Sequence, residues 1–314
     1  MANVSYIQVL RKCNQKCIFC SNPENDNVLF YDEVTRILDK YKKKGIKEVI
    51  FTGGEPTLHA DLSKIIIYAN HLGFVCRIIT NGQRISAKKY LQELVDAGLR
   101  KFHVSFYSYK PEIQNYLTQN KKSFVNLIKA LTNLVDFDVQ VTINTVINKF
   151  NADHLDKNIL FLLKKFPYIK HFVFNNCDPY LNRASENKFV IPRLRDFKES
   201  LIRALKILQL AKKTFRIEKV PLCYIADFAE FSTETRKIVK KENRLIYFLD
   251  QRGYDDQPAN KFRYPKQKEC QGCSLISICA GLQGANTYYD PAELIPQKND
   301  PQMIINKILN DPEK

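Results

Sequence analysis

Six β-branched, apolar segments recur through the first two thirds of the chain, and an amphipathic segment follows each one. The strand candidates are SYIQVL (5–10), KEVIFT (47–52), FVCRII (74–79), KFHVSF (101–106), DVQVTINTV (138–146) and IKHFVFN (169–175). After the first, Val34, Ile37, Leu38 and Tyr41 repeat at the spacing of one helix face, and Gly45 supplies a stop. Over 87–97 the stripe is Leu91, Leu94 and Val95, with Ser86 as the expected cap and Gly98 as the end. A sixth helix, about 192–213, carries Leu194, Phe197, Leu201, Leu205 and Leu208 on one side. Strands joined by helices run parallel, because the crossover returns the chain to the same end of the sheet. Six units are too few for a closed eight-stranded barrel. Two arrangements follow: a partial barrel open at one side, or a doubly wound open sheet. In either one, ligands sit at the carboxyl ends of the strands.

Past residue 214 the rhythm is lost. FRIEKVPLCYI (215–225) reads as a strand, 226–249 as helical and 251–268 as a polar connection. The expected division is therefore a βα domain over 1–214 and a smaller module over 215–314. There is no internal repeat beyond the βα rhythm.

No apolar run approaches the ~18–20 residues that span a bilayer. The opening MANVSYIQVL lacks the pattern of an export signal. The expectation is a soluble, cytoplasmic protein that uses no membrane. Nine cysteines in such a chain point to metal ligation or reactivity before disulfides. Lys and Arg exceed Asp and Glu by 49 − 33 = 16. The lysines fall in scattered pairs and triplets such as Lys42–Lys44 and Lys164–Lys165, which reads as a solvated surface; a basic face for an anionic partner is the alternative.

Cys13, Cys17 and Cys20 stand in the loop after strand 1, spaced C-x3-C-x2-C. Three thiolates can hold three irons of a [4Fe-4S] cluster, which leaves the fourth iron open to a small chelating molecule. A zinc knuckle is the competing reading, and its fourth ligand would have to come from afar; the nearest histidine is His59.

With Phe19 before the last of these cysteines, and FTGGEPTLH (51–59) ending strand 2, the chain resembles the radical S-adenosylmethionine (SAM) enzymes over about residues 5–214. The resemblance implies a partial (βα)6 TIM-like barrel, a [4Fe-4S] cluster on the three cysteines and SAM as the open iron's ligand. It also implies that Gly53 and Gly54 let SAM approach the backbone and that the stretch binds its amino group. Glu55 and Pro56 then fix the turn, and Phe19 lies near the adenine. Asn81, Ser105 and Asn144, at the ends of strands 3, 4 and 5, are the expected contacts to ribose and carboxylate. The implied chemistry is reductive cleavage of SAM to a 5′-deoxyadenosyl radical, which abstracts hydrogen from a substrate. An external one-electron reductant such as flavodoxin or ferredoxin is implied as partner.

Cys270, Cys273 and Cys279 follow a C-x2-C-x5-C spacing, and Cys223 stands upstream. Four thiolates complete a site with no open position, and zinc would use the same set. Beside a radical SAM core the module resembles the twitch and SPASM extensions that hold auxiliary iron–sulfur clusters. Gln283 stands where the full SPASM pattern has a further cysteine, so the expectation is one auxiliary [4Fe-4S] cluster. Cys76 reads as a buried strand residue. Tyr107, Cys177 and Asp178, near the ends of strands 4 and 6, are the catalytic candidates. His103, in mid-strand, reads as an interior histidine.

Such modules most often serve oxidative or cross-linking modification of peptides. Many of those maturases carry an extra N-terminal peptide-binding domain; strand 1 begins at about residue 5, and the expectation is that none precedes it. The alternative is a dehydrogenase or rearrangement enzyme for a small sugar, nucleotide or phosphorylated metabolite. A nucleic-acid-binding metal protein is a third reading, but no nucleic-acid motif accompanies the charge.

Overall fold

All six expected strands form: β1 (Val4–Leu10), β2 (Glu48–Gly53), β3 (Val75–Thr80), β4 (Lys101–Ser105), β5 (Gln140–Ile147) and β6 (His171–Asn176). In the computed structural model, which describes residues 4–180, 182–257 and 263–311, they pair in sequence order and every pair is parallel. The helices between and after them are α1 (Tyr31–Lys43), α2 (Leu62–His71), α3 (Lys88–Asp96), α4 (Pro111–Thr118), α5 (Ser123–Leu134), α6 (Leu155–Lys165), α7 (Asn182–Glu186) and α8 (Leu194–Leu210). α1 buries the predicted stripe of Val34, Ile37, Leu38 and Tyr41, and Gly45 takes the left-handed φ of +73° that ends such a helix at low steric cost. Ser86 does not cap α3. Its hydroxyl donates to Gln83 O within a preceding 3-10 turn, and Ala87 occupies the cap position.

The sheet runs past residue 214. β7 (Thr214–Glu218) adds in parallel beside β6, β8 (Arg244–Phe248) adds in parallel beside β1, and β9 (Gly253–Gln257) folds back antiparallel on β8. The order is β7-β6-β5-β4-β3-β2-β1-β8-β9, nine strands against the six of the βα rhythm and the one read over 215–225, of which only the start is strand, in β7. Within 226–249, the α-helix is confined to α9 (Thr233–Lys240); RLIYF, which follows, is β8. The polar 251–268 connection contains β9, and its residues 258–262 lie outside the described residues. The periodicity failed here because these strands are short, with 3-10 turns and only the two-turn helix α9 between β7 and β8 and a tight turn between β8 and β9. A final helix, α10 (Pro301–Asn310), packs against α9.

The sheet is curled but not closed, a partial TIM-like barrel rather than a flat doubly wound sheet. Arg244 of β8 reaches to 3.8 Å from Glu218 of β7 across the opening. Side chains alternate along each strand. One set (Val49, Cys76, Ile78, Phe102, Val104, Ile143, Phe172) packs in the main apolar core, which also takes in the buried faces of the helices. The other set lines the interior and is polar. Lys101 and Arg77 both pair with Glu48, Arg77 also reaches His103 at 2.7 Å, and His171 bonds Thr214 at 2.7 Å. Among the described residues no helix is long and apolar enough to cross a membrane.

Burial, reinforced by Arg216 and Arg77, depresses His171 to about 4; burial and Arg77 likewise hold His103 well below its ordinary range. A base whose pKa is lowered in the folded state is protonated first in the unfolded one. Folding stability therefore falls as pH drops through the ordinary histidine range near 6.5 towards 4. Urea midpoints measured between pH 7 and 4.5 should fall steeply for the parent chain. They should fall less steeply for His171→Asn, and an unchanged slope in that variant would contradict the assignment.

Candidate active site

The three-cysteine loop leaves β1 through an irregularity. The β1–β2 register shifts between Gln8 and Leu10, so that Leu10 pairs with Gly53. A bulge of this kind re-aims the chain at a strand end. The loop is then held on three sides. On the β2 side, Gly54 N–H donates to Leu10 O at 2.7 Å and Glu55 N–H to Lys12 O at 3.0 Å. On the α4 side, Lys16 and Ile18 N–H donate to Thr118 O and Leu117 O. On the third side lies α7: Ala184 N–H donates to Cys20 O, Arg183 Nε donates to Cys17 O, and the Asn187 amide beyond it donates to Ile18 O.

The glycines have a structural role that the sequence did not suggest. A Cβ on Gly53 would meet Leu10 O at 2.2 Å, and one on Gly54 would meet Arg11 O and Lys12 O at 2.2 and 2.3 Å. Their bareness admits the cysteine loop itself. Gly53 also takes φ +135°, which L side chains rarely adopt.

Behind the glycines, the fully buried Glu55 accepts hydrogen bonds from Thr57 N–H and its hydroxyl, from the Thr80 hydroxyl and from Asn81 N–H. One carboxylate thus ties the end of β2 to the end of β3. Burial raises its pKa, and the four donors oppose that rise.

A cleft of about 190 Å³ opens at these strand ends. Its walls include Cys13, Cys17, Phe19, Cys20, Gly53, Gly54, Glu55, Asn81, Ser105, Tyr107 and Asn144, which gathers every residue the resemblance singled out around the first cysteine set, together with Tyr107. The sulfurs border a volume rather than a point: among the described residues, no group of three or more His, Cys, Asp or Glu is arranged to hold a single metal ion. His59 is not available to the thiols. It accepts from Asp61 N–H on Nδ1, which leaves Nε2–H to donate to Leu29 O at 2.7 Å.

Cys13 reaches solvent at the cleft mouth, yet desolvation by the surrounding chain pushes its thiol up to about 11. Burial, with Cys20 and Cys13 alongside, holds Cys17 well above its ordinary value. Thiols raised in this way are protonated until a cation displaces the proton. The Asn81 amide is committed to this loop. Its Oδ1 accepts from Gln83 N–H, and its Nδ2 donates to Asn14 Oδ1 at 2.7 Å and Cys13 Sγ at 3.7 Å.

Tyr107 packs edge-on against Phe19, with ring centroids 4.7 Å apart. Burial and the nearby Cys17 thiol push its hydroxyl well above the tyrosine range, so it stays protonated and acts as a donor, not a base. The other two catalytic candidates lie outside the cleft. Cys177 is buried beside Phe19, Tyr107 and Ile18, and burial raises it to about 12. Burial alone would raise Asp178, but Lys219 at 2.6 Å outweighs it and holds the carboxylate below its usual range.

Two participants carried no readable signal. Asn175 of β6 donates to Asn144 Oδ1 at 2.6 Å and fixes that amide, while Arg183 clasps the cysteine loop from α7. Ser108, His154 and Asp153 share a hydrolase's connectivity, at 3.0 and 2.5 Å, but Ser108 and His154 are 0% and 1% exposed and brace the turn after β4.

The second cysteine set also converges. Cys223, Cys270, Cys273 and Cys279 line one pocket whose remaining walls are mostly aliphatic, including Leu222, Leu275, Leu282 and Leu294. Cys223 feels all three other thiols, and burial is the main cause of its rise to about 12.

A parallel partial barrel with three thiols at the carboxyl end of its first strand, facing polar ends of β3 to β5, defines an enzyme that binds an iron–sulfur cluster together with SAM. The sequence pattern of the Radical SAM superfamily matches residues 7–162, and the chain belongs to that superfamily; its cofactors are a [4Fe-4S] cluster and SAM. Among curated proteins it is similar to a GTP 3′,8-cyclase of Clostridium botulinum, 28% identical over 181 residues, 54% of this chain and 56% of that protein. The match thus spans little more than half of that relative's length. Among solved structures it is similar to SuiB of Streptococcus suis bound to S-adenosylmethionine (TM-score 0.66, 19% identity, 90% of this chain and 73% of that one). It is similar also to anSMEcpe with bound AdoMet and the Kp18Cys peptide (TM-score 0.66, 15% identity, 98% and 95%).

Gly54→Ala should force the cysteine loop off β2. A backbone overlap of this depth costs about 3 kcal/mol or more. The variant is expected to keep its circular dichroism spectrum but, after anaerobic reconstitution, to lose the iron bound by the first cysteine set. Full iron retention would contradict the role given to the glycines.

Proposed function

We propose that this radical SAM enzyme carries out an oxidative or cross-linking modification of a peptide. The observation that carries the radical chemistry is the shared cleft, with three thiols on one wall and the polar strand ends on the other. Cys13, Cys17 and Cys20 hold the cluster, and Phe19, Asn81, Ser105 and Asn144 border SAM. When bound, the cluster and SAM together supply a 5′-deoxyadenosyl radical that abstracts a hydrogen atom. The chain's own part is positional. Glu55 and the glycines fix the loop, Asn175 orients Asn144, and Tyr107 offers a fixed hydroxyl donor while excluding water with Phe19. Cys223, Cys270, Cys273 and Cys279, in a module that begins near residue 215 and lends strands to the barrel sheet, hold an auxiliary [4Fe-4S] cluster. Its buried, aliphatic surroundings suit electron exchange with a one-electron carrier rather than SAM binding.

Two observations favour a peptide. The polar wall opposite the thiols is made of amide and hydroxyl groups (Asn81, Ser105, Asn144), and the two arginines of the adjoining cleft are already neutralised, Arg11 by Asp250 and Arg183 by Glu24. The fold similarity that extends past residue 214 includes chains with bound peptides, SuiB with its precursor peptide SuiA and anSMEcpe with Kp18Cys. A nucleotide is the second reading, supported by the similarity to GTP 3′,8-cyclase and by Lys12 on the adjoining wall.

Anaerobic reconstitution should give about eight irons per chain, two cubanes, and reductant-dependent release of 5′-deoxyadenosine. Replacing Cys13, Cys17 and Cys20 by alanine should abolish that release and leave about four irons, one cubane. A chain that binds zinc alone and releases no deoxyadenosine contradicts the cluster assignment. For the substrate, a short peptide encoded beside this gene should stimulate deoxyadenosine release and gain a mass change; stimulation by GTP instead would favour the nucleotide.

A further inference from the structure

The four-cysteine pocket lies under an apolar surface with cations around it. Ile276 and Ile295 line the pocket and are 41% and 52% exposed, so they cover the thiols on one side and meet solvent on the other. Three cations are fastened to the carbonyls of the cysteine loop itself: Lys298 to Gly272 O, Arg263 to Ser277 O and Lys266 to Cys279 O. A fourth, Lys268, is 87% exposed; among the described residues the one carboxylate paired with any of these four cations is Glu269, 3.9 Å from Lys268. Gln271 and Gly272, at the tip of the loop, are exposed as well.

The residues in the first cleft are differently placed. Arg183 and Arg11 are committed to carboxylates there, and α7 covers the cysteine loop. The charge and the apolar surface coincide at the second pocket.

We infer that this surface is the docking face for a small acidic protein that carries one electron, such as a flavodoxin. The inference rests on the four thiols holding an auxiliary cluster. Ile276 and Ile295 supply the dry contact through which the electron passes, and the four cations supply steering. Redox encounters of this kind bury little area and depend on electrostatic attraction for their rate. The step moves one electron: the carrier's flavin hydroquinone becomes the semiquinone, and the cluster gains that electron with no bond made or broken. The same face serves the reverse direction when the carrier arrives oxidised.

The test uses the full chain with Cys13, Cys17 and Cys20 replaced by alanine, so that only the second pocket holds iron. Stopped-flow absorbance follows reduction by an acidic flavodoxin hydroquinone, and separately by photoreduced deazaflavin, an uncharged small molecule. Lys268→Glu/Lys298→Glu should slow the flavodoxin reaction tenfold or more at low salt, leave the deazaflavin reaction within twofold, and lose the difference as salt screens the charges. Lys268→Glu alone, which breaks no bond to the loop, should show the same effect at smaller size. An unchanged flavodoxin rate, or equal slowing with deazaflavin, overturns the docking face while leaving the cluster assignment intact. A background chain that binds no iron overturns the four-thiol assignment and this inference together.

Discussion

The active site depends on the close passage of Gly53 and Gly54 against Leu10, Arg11 and Lys12. Two backbones meet there with no room for a single Cβ, and the Gly54 and Glu55 N–H groups bond the loop carbonyls directly. The contact converts a flexible cysteine loop into a defined wall opposite the ends of β3, β4 and β5. Its rigidity is reinforced from behind, because Glu55 binds β3 through Thr80 and Asn81, and Asn81 in turn reaches Cys13. Cluster loop, glycine turn and third strand are one hydrogen-bonded unit. Losing any one member would loosen the other two.

The barrel interior separates two kinds of polarity. At the carboxyl ends the lining is amide, hydroxyl and thiol, suited to orienting a ligand. Towards the amino ends it is charged, with Arg77 and Lys101 on Glu48, Arg244 facing Glu218, and two histidines whose pKa values are held low by burial and nearby arginines. Residues past 214 also support the site. Strands β8 and β9 extend the sheet beside β1, and Asp250, in the turn between them, holds Arg11 at the root of the cysteine loop. The part of the chain with the four thiols thereby also braces the part with three.

Much of this was legible in the sequence, because the signals were local and strong. Parallel strands buried under helices read as apolar runs, and all six were found. The cysteine spacings and the Gly-Gly-Glu-Pro run gave nearly the whole cleft. What was missed was non-local. β8 and β9 are short and were read as helix and connection, and the pairing of β7 with β6 and of β8 with β1 leaves no trace in residues 214–257. Asn175 looked like any strand-end amide until β6 set it beside Asn144. Arg183 lies 166 residues from the Cys17 carbonyl it binds. The glycines were singled out for a ligand's approach, and their packing against the cysteine loop was not foreseen, since a sequence marks a bare backbone without saying what comes close to it. Cys177 and Asp178 were placed at the correct end of the barrel but not in the cleft, because residues just past a strand can turn into the packing beneath it.

The central claim is that the three-thiol site leaves one cluster position to SAM. The most direct measurement is electron–nuclear double resonance on the reduced, reconstituted protein, with SAM isotopically labelled in the methionine amine and carboxylate. The account predicts hyperfine coupling from both labels to the cluster, lost in the Cys17→Ala chain. Binding of SAM with no coupling from either label would contradict it.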